Sequence, residues 1–409
     1  MSTPRDAGRV VIVGAGLAGY SAAEQLRTLG HEGTITIVDR EPAAYDRPPL
    51  SKQLLTADFS LEKLAFASAE KLKSLRITTV FDRSVVAVDP DAATVALDDG
   101  TTLVADTILL ATGGRARKLP IAGSDAPGVL VLRTFSDAIA IRERMHAGAR
   151  VVIVGAGLIG AELASALVLA GAAVTLVDPV TVPAVPALGE RMAQYLHAMH
   201  ADRGIDVVVG VTEAIEAVAG HLVVAIDGGP TLSADFVVIG VGIVPNTELA
   251  ESVGLDVDNG VLIDQAHRTS AQKIFATGDV TRLRDEDGTL HRREEHWEAA
   301  QLGGARAAFG MLGLQPPTAG ASWFWSDRHG VHLEATGRLT GSGDIVLRQN
   351  GAHPTVFLVD GAFLVGAAAV DDNNTIRAAR RLIDKGIPVA AGELADPLVP
   401  LRSLLKAAR

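Results

Sequence analysis

"VVIVGAGLAGYSAAEQL" (Val10–Leu26) and "VVIVGAGLIGAELASAL" (Val151–Leu167) are two copies of one phrase. Each is a β-branched run, a glycine turn and an alanine- and leucine-rich stretch of helical character. Each carries G-x-G-x-x-G: Gly14, Gly16 and Gly19 in the first, Gly155, Gly157 and Gly160 in the second. The first glycine permits a tight turn, the second lets backbone approach a pyrophosphate, and the third lets helix pack on strand. The N–H groups that open the helix attract the anion. One such motif alone is weak. Here each follows a strand, opens a helix and leads to a further strand ending in an acid, "TITIVDR" with Asp39 and "AVTLVDP" with Asp178. That is the context the motif requires. The repeat predicts an α/β protein with two Rossmann-like dinucleotide-binding domains.

The acid closing each second strand is placed for the adenosine ribose hydroxyls. After Asp178 comes "PVTVPAVPALGE", with no Arg or Lys before Arg191. A 2′-phosphate there meets a carboxylate and no cation, so the second site is expected to prefer NADH to NADPH.

Between the repeats, "SVVAVDP", "TVALDDG" and "TTLVADTILLAT" read as a β-meander by their period-2 alternation and the "DDG" turn. It ends in "ATGG", with Ala111, Thr112 and Gly113; much later "KIFATGDV" repeats a strand followed by Ala-Thr-Gly, with Gly278 and Asp279. This pairing around the second glycine motif implies that one dinucleotide domain is inserted in the other. The expected boundaries are residues 1–114 and 246–320 for the discontinuous domain and 115–245 for the insert. Composition changes near Ser322, giving a third, α+β domain over 321–409, with Trp323 and Trp325 at its start. Each tryptophan is read either as an anchor of that domain's core or as a functional ring.

A chain of 409 residues is long for one core, which suits several domains. The net charge of −11 argues against nucleic acid or an anionic membrane as main partner. There are no cysteines. That excludes dithiol reduction, thiolate-bound zinc and cysteine-ligated clusters, since each needs sulfur, and no resident metal is expected. Absent cysteines also suit a reducing cytoplasm, the expected location. "MSTPRDAGR" lacks the apolar core of a secretory signal and no run is long enough to span a bilayer.

With these motifs in place the chain resembles the FAD-containing ferredoxin reductases of bacterial oxygenase and cytochrome P450 systems, flavoproteins with two dinucleotide sites and a glutathione-reductase-like fold. The resemblance runs from Val10 to about Leu405 on "YDRPPLSK", "LLATGGRARKLP", "VLRTFSDA", "VVIVGAGLIGAELA", "GVGIVPNTELA", "VDNGVLID", "IFATGDV" and "WFWSD". It implies FAD at the first site, on Gly14, Ala15, Gly16 and Gly19, with Asp39 and Arg40 by the ribose and Val85 by the adenine. Arg47 and Lys52 serve the flavin end, Ala111, Thr112, Gly113 and Arg133 the middle, and Gly278, Asp279 and Trp297 the ribityl chain and ring. For NAD(H) it implies Gly155, Gly157, Leu158, Ile159, Gly160, Glu162, Asp178 and Gly242.

The same resemblance gives "YDRPPLSK" (Tyr45–Lys52) its purpose. Its prolines steer the backbone along the flavin, and the following Ser–Lys opens a helix that aims Lys52 at the ring. Proline fixes φ, so such a loop needs little ordering on binding. Lys52 and Glu162 are implied as the catalytic pair, the ammonium favouring the charge that arrives with hydride. A flavin between NADH and an iron–sulfur protein takes electrons as a pair and releases them singly.

The implied partner is a [2Fe–2S] ferredoxin serving a P450 or Rieske oxygenase, the reductase being a monomer or homodimer. Trp325 and Arg306 are expected to face it, with Arg380, Arg381 and Lys385 as further cationic candidates for an acidic partner. The sequence departs from the family at "REEHWEAAQLGG", which has Arg-Glu-Glu for Arg-Ile-Glu, and Ala299 or Ala300 where an asparagine is usual. Alternatives are a rubredoxin reductase and a type II NADH:quinone dehydrogenase, the latter needing the tail "DPLVPLRSLLKAAR" as a membrane-lying helix. A third is a redox-gated interaction protein, as in apoptosis-inducing factor.

Overall fold

The computed structural model describes residues 5–56 and 58–407. They form two compact units, one taking in residues 5–48, 58–115 and 243–318, the other 49–56, 116–242 and 319–407.

The first unit is built on a parallel sheet of Ile274–Ala276, Thr107–Leu110, Val10–Val13, Ile35–Val38 and Ile77–Val80, in that order. Strands covered on both faces read as unbroken apolar runs. Val10, Val11, Ile12 and Val13 accordingly are all buried. On one face, Val10, Ile12, Ile35 and Ile37 pack with Ala22, Ala23 and Leu26 of the helix Leu17–Thr28 and with Ala307, Ala308 and Met311 of the helix Trp297–Met311. These two helices cross with backbones nearly touching, since a Cβ on Gly304 would stand 2.1 Å from the Ala18 carbonyl oxygen.

The expected meander divides between two sheets. Val85–Asp89, Thr94–Leu97 and Thr102–Val104 pair antiparallel, whereas Thr107–Leu110 leaves them for the parallel sheet. Every residue of Thr107–Leu110 is buried, while Thr102 and Val104 are exposed. A strand buried on both faces fits a sheet interior, and a half-exposed one fits the surface ribbon.

In the second unit Asp206–Val209, Ala173–Asp178, Arg150–Val154, Phe236–Ile239 and Val129–Val131 form the corresponding parallel sheet. The chain's last part is a five-stranded antiparallel sheet, ordered Trp323–Arg328, Val331–Gly337, Phe363–Val370, His353–Asp360 and Asp344–Asn350. The helix Asn373–Asp384 lays Ile376, Ala379 and Leu382 on it. The tail helix Leu401–Ala407 sets Leu401 and Leu404 in that same core. The apolar stripe of the tail is therefore spent on packing, which removes the feature the quinone reading needed. Among the described residues no helix is long and apolar enough to cross a membrane.

Candidate dinucleotide and charge-pair site

In the first unit, Gly14 takes φ +115, and a Cβ there would stand 2.2 Å from the Ala111 carbonyl oxygen. The turn thus lies directly on the "ATGG" strand end. Gly16 precedes the helix with nothing within 4 Å of where its Cβ would be. Gly19 closes the turn, its Cβ position 2.0 Å from the Gly14 oxygen. The second turn repeats this: Gly155 has φ +105, Gly160 would meet the Gly155 oxygen at 2.0 Å, and Gly157 faces open space.

Each acid ties its own turn. Asp39 accepts from Ala15 N at 2.5 Å and Glu41 N at 2.9 Å. Asp178 accepts from Ala156 N at 2.9 Å and Val180 N at 2.9 Å. In both turns the open space lies over the second glycine at the start of a helix, where N–H groups and dipole favour an anion. Ile159 stands 46% exposed beside Gly157, an apolar side chain left outside at the same place. Both turns therefore offer open space and helix-start N–H groups of the kind that suits a dinucleotide pyrophosphate, with Asp39 and Asp178 bracing the turns from the adjoining strand ends.

Around the first turn, Thr112 Oγ1 donates to Asn246 O, and Asn246 Nδ2 returns to Thr112 O, both at 2.8 Å. Asn246 N donates to Gly113 O at 3.0 Å. Asn246, in "VPNTEL", was not singled out in the sequence, although it locks the strand end carrying Ala111, Thr112 and Gly113. Gly278 approaches Ala18, its Cβ position 2.8 Å from the Ala18 Cβ, and Asp279 follows on a 3₁₀ turn. Val85 is half-buried against the other face of the sheet, and Arg40 is exposed. Arg133, by contrast, lies in the second unit, its N–H bonded to Asp137 at 3.0 Å. Gly242, φ +94, is exposed there and accepts from Arg117 N at 2.9 Å.

"YDRPPLSK" is anchored in two halves. Tyr45 bridges to Ala65, Asp46 N donates to Leu64 O at 2.9 Å, and the Trp297 indole donates to Asp46 Oδ1 at 2.8 Å. The Arg47 guanidinium lies 5.4 Å from the Tyr45 ring centre. These belong to the first unit. Pro49–Lys52 forms a single helical turn of the second, and proline at a helix start costs no hydrogen bond.

That turn delivers Lys52 to Glu162, on the second glycine helix Leu158–Leu169, at 2.7 Å. Glu162 is 5% exposed. Its Oε2 also accepts from Ser51 Oγ at 2.6 Å, and its Oε1 from Ser326 Oγ at 2.6 Å and Asp327 N at 3.3 Å. A carboxylate removed from water needs this many donors. Lys52 Nζ further lies 4.0 Å from Asp327 Oδ2 and 5.9 Å from the Trp325 ring centre. Trp325 stacks on Trp323 with centroids 5.2 Å apart. The resemblance pairs Lys52 with Glu162; it sets Trp325 toward the partner and not beside Lys52, and it misses Ser51, Ser326 and Asp327.

Arg306 is half-buried and donates to the Pro317 carbonyl and to Gln265 O at 2.9 Å; burial lowers its pKa. Arg381 and Lys385 are exposed on the helix Asn373–Asp384 and just beyond it, and Arg380 is half-buried. At the departure in "REEHWEAAQ", His296 caps the helix by accepting from Ala299 N at 3.2 Å, and Glu295 pairs with Arg293 at 2.5 Å.

Two glycine turns of this form, on two parallel sheets, define a flavoprotein-type pyridine nucleotide oxidoreductase. Residues 8–304 match the pyridine nucleotide-disulphide oxidoreductase family and residues 323–405 the reductase C-terminal family. The chain belongs to the first of these and carries the second as its C-terminal part. It is 38% identical to the ferredoxin–NAD(+) reductase component of the anthranilate 1,2-dioxygenase system of Burkholderia cepacia, covering 97% of this chain and 98% of that one. It is 35% identical to rhodocoxin reductase of Rhodococcus erythropolis over 95% of this chain and 92% of that one. The structure of a covalent putidaredoxin reductase–putidaredoxin complex superposes with TM-score 0.92 at 31% identity, covering 99% of each chain. The family's name includes a disulphide, but this chain, without cysteine, has no thiol to form one.

Proposed function

We propose that this chain is an NADH-dependent ferredoxin reductase that supplies electrons, one at a time, to a [2Fe–2S] ferredoxin of a P450 or Rieske oxygenase system. The observation that carries the reading is the Lys52–Glu162 pair: it fixes a buried charge couple on the very helix that opens at the second glycine turn. The comparison with dioxygenase and P450 reductases supports the same reading. The sequence boundaries assign residues 1–114 and 246–320 to the FAD part, 115–245 to the NAD part and 321–409 to the C-terminal part, with residues 49–56 packing in the unit of the latter two.

Bound FAD supplies the link between a two-electron donor and one-electron acceptors. Gly14, Ala15, Gly16 and Asp39 bind its pyrophosphate and ribose, and Trp297, held by Asp46, orients the ring end. Gly157–Gly160 and Asp178 bind NADH. Lys52, fixed by Glu162, would supply a positive charge to favour the electron density that a bound cofactor gains on reduction. The absence of cysteine leaves no dithiol to intercept the electrons, and suits work in the cytoplasm.

The test is stopped-flow reduction of the FAD-loaded protein by NADH, followed by mixing with oxidised [2Fe–2S] ferredoxins. Fast reduction and fast transfer to at least one ferredoxin is the expected result. Slow transfer to every ferredoxin and rubredoxin offered rejects the partner.

A further inference from the structure

Glu162 is one link in a longer buried chain. Ser326, 0% exposed, donates to Glu162 Oε1, and Arg328 Nη2 donates to Ser326 Oγ at 2.9 Å. Arg328 is 4% exposed. An arginine buried so deeply is costly, and packing alone is served better by an apolar side chain. A hydroxyl has one proton to give, and a guanidinium only donates. Ser326 must therefore accept from Arg328 and direct its proton to Glu162. Ser51, Lys52 and the Asp327 amide also point hydrogens at Glu162. Each Glu162 oxygen therefore faces a group that only donates, the Lys52 ammonium on one and the Asp327 amide on the other. A protonated Glu162 could bond only if a serine hydroxyl turned to accept.

We propose that Arg328 is a positioning residue for hydride delivery: acting through Ser326, it sets the direction of this hydrogen-bond chain and keeps Glu162 ionised opposite Lys52. The inference rests on the ferredoxin reductase reading for its role in turnover. Other charged groups lie on the strands packed against the helix of Glu162. Asp327 is paired with His332 at 2.6 Å, and His332 stands 3.8 Å from Glu334. On the strands beneath the helix, Asp178 is engaged by the Ala156 and Val180 amides and Arg150 by Asp235.

Behind Arg328 lie His197, His200 and His329, with His329 Nε2 3.0 Å from His200 Nδ1, while Arg203 donates to the His329 carbonyl. Burial pushes His200 down to about 3 and His329 down to about 4, and the Arg328 charge adds to both. Both rings are neutral at working pH. The buried positive charge next to Ser326 is thus the guanidinium and not an imidazolium.

The experiment measures the pH profile of FAD reduction by NADH in the FAD-loaded wild type, Arg328→Met, Ser326→Ala, the double variant and Arg328→Lys. Both single variants are expected to raise the acid limb by about one pH unit. The double variant moves it no further than the larger single change, because the two residues act in series. Lysine, a cation and donor, restores the wild-type limb. In parallel, ¹³C titration of the Glu162 carboxyl, assigned with Glu162→Gln and read without NADH, moves up in the same variants. Wild-type protein that NADH does not reduce sinks the reductase reading and leaves this titration to decide the proposal. An unmoved Glu162 titration, or a slower rate with no displacement of the limb, overturns it. Should Arg328→Met fail to fold, Arg328→Gln takes its place, because Ser326→Ala removes a direct donor to Glu162 whatever Arg328 does.

Discussion

Lys52 and Asp178 carry the two most direct expectations for single side chains. Lys52→Met is expected to retain flavin and slow reduction by NADH at least about tenfold, since it removes a cation from a site sheltered from water. Stopped-flow traces at saturating NADH check this, and an unchanged rate takes Lys52 out of the mechanism. Asp178→Ala combined with Val180→Arg, at a position 55% exposed, is expected to raise the NADPH/NADH ratio of kcat/KM about tenfold or more. The substitution also frees the Ala156 and Val180 amides, so part of the change comes as weaker NADH binding. Asp178 was legible in the sequence because a strand-end acid has a fixed place after a glycine turn. Ser326 and Ser51 were not: they reach Glu162 across sequence separations of 164 and 111 residues. A serine carries no periodicity that would announce such a meeting.

The glycine turns make a contrast that only their geometry supplies. Gly14→Ala places a side chain at φ +115 and 2.2 Å from a carbonyl oxygen, so it is expected to destabilise the protein by roughly 2 kcal/mol or more. Gly16→Ala puts its methyl in open space at φ −61, a conformation alanine accepts. Apo stability is then expected to change by about 1 kcal/mol or less, while flavin is lost. Thermal melting of flavin-stripped protein and the flavin absorbance of the purified protein together separate the two effects. Equal damage by both substitutions would show that Gly16 is structural. The strands and helices of the two repeats were legible since pattern, turn and acid agree in each. Thr107–Leu110 was read into the wrong sheet because its sequence neighbours alternate while it does not, and only burial on both faces settles its place.

For the molecule as a whole, four buried histidines govern behaviour in mild acid, His31 among them, its pKa lowered by burial. Burial pushes His200 down to about 3 and His329 and His267 down to about 4, from an ordinary 6.5. Below that ordinary value the unfolded chain takes up protons that the folded protein refuses. Their contribution is therefore complete above about pH 6.5 and is lost progressively toward pH 4. Urea midpoints are expected to decline through pH 6 and pH 5. A midpoint steady down to pH 4.5 would show that these rings protonate without opposing the fold. Exposed carboxylates act lower still: Asp99, held by the Thr101 amide and Arg83, titrates near 2.

The order of strands in the first sheet also bears on how the chain leaves the ribosome. Ile274–Ala276, which lies against Thr107–Leu110, is made only after the whole second glycine domain. Until then the nascent sheet has an open, apolar hydrogen-bonding edge, and the helix Trp297–Met311 that roofs it has yet to be translated. Truncated or stalled chains ending before Ile274 should therefore bind chaperones and aggregate more than those extending past Met311, in which the face of Leu188, Met192 and Leu196 still waits for the C-terminal sheet.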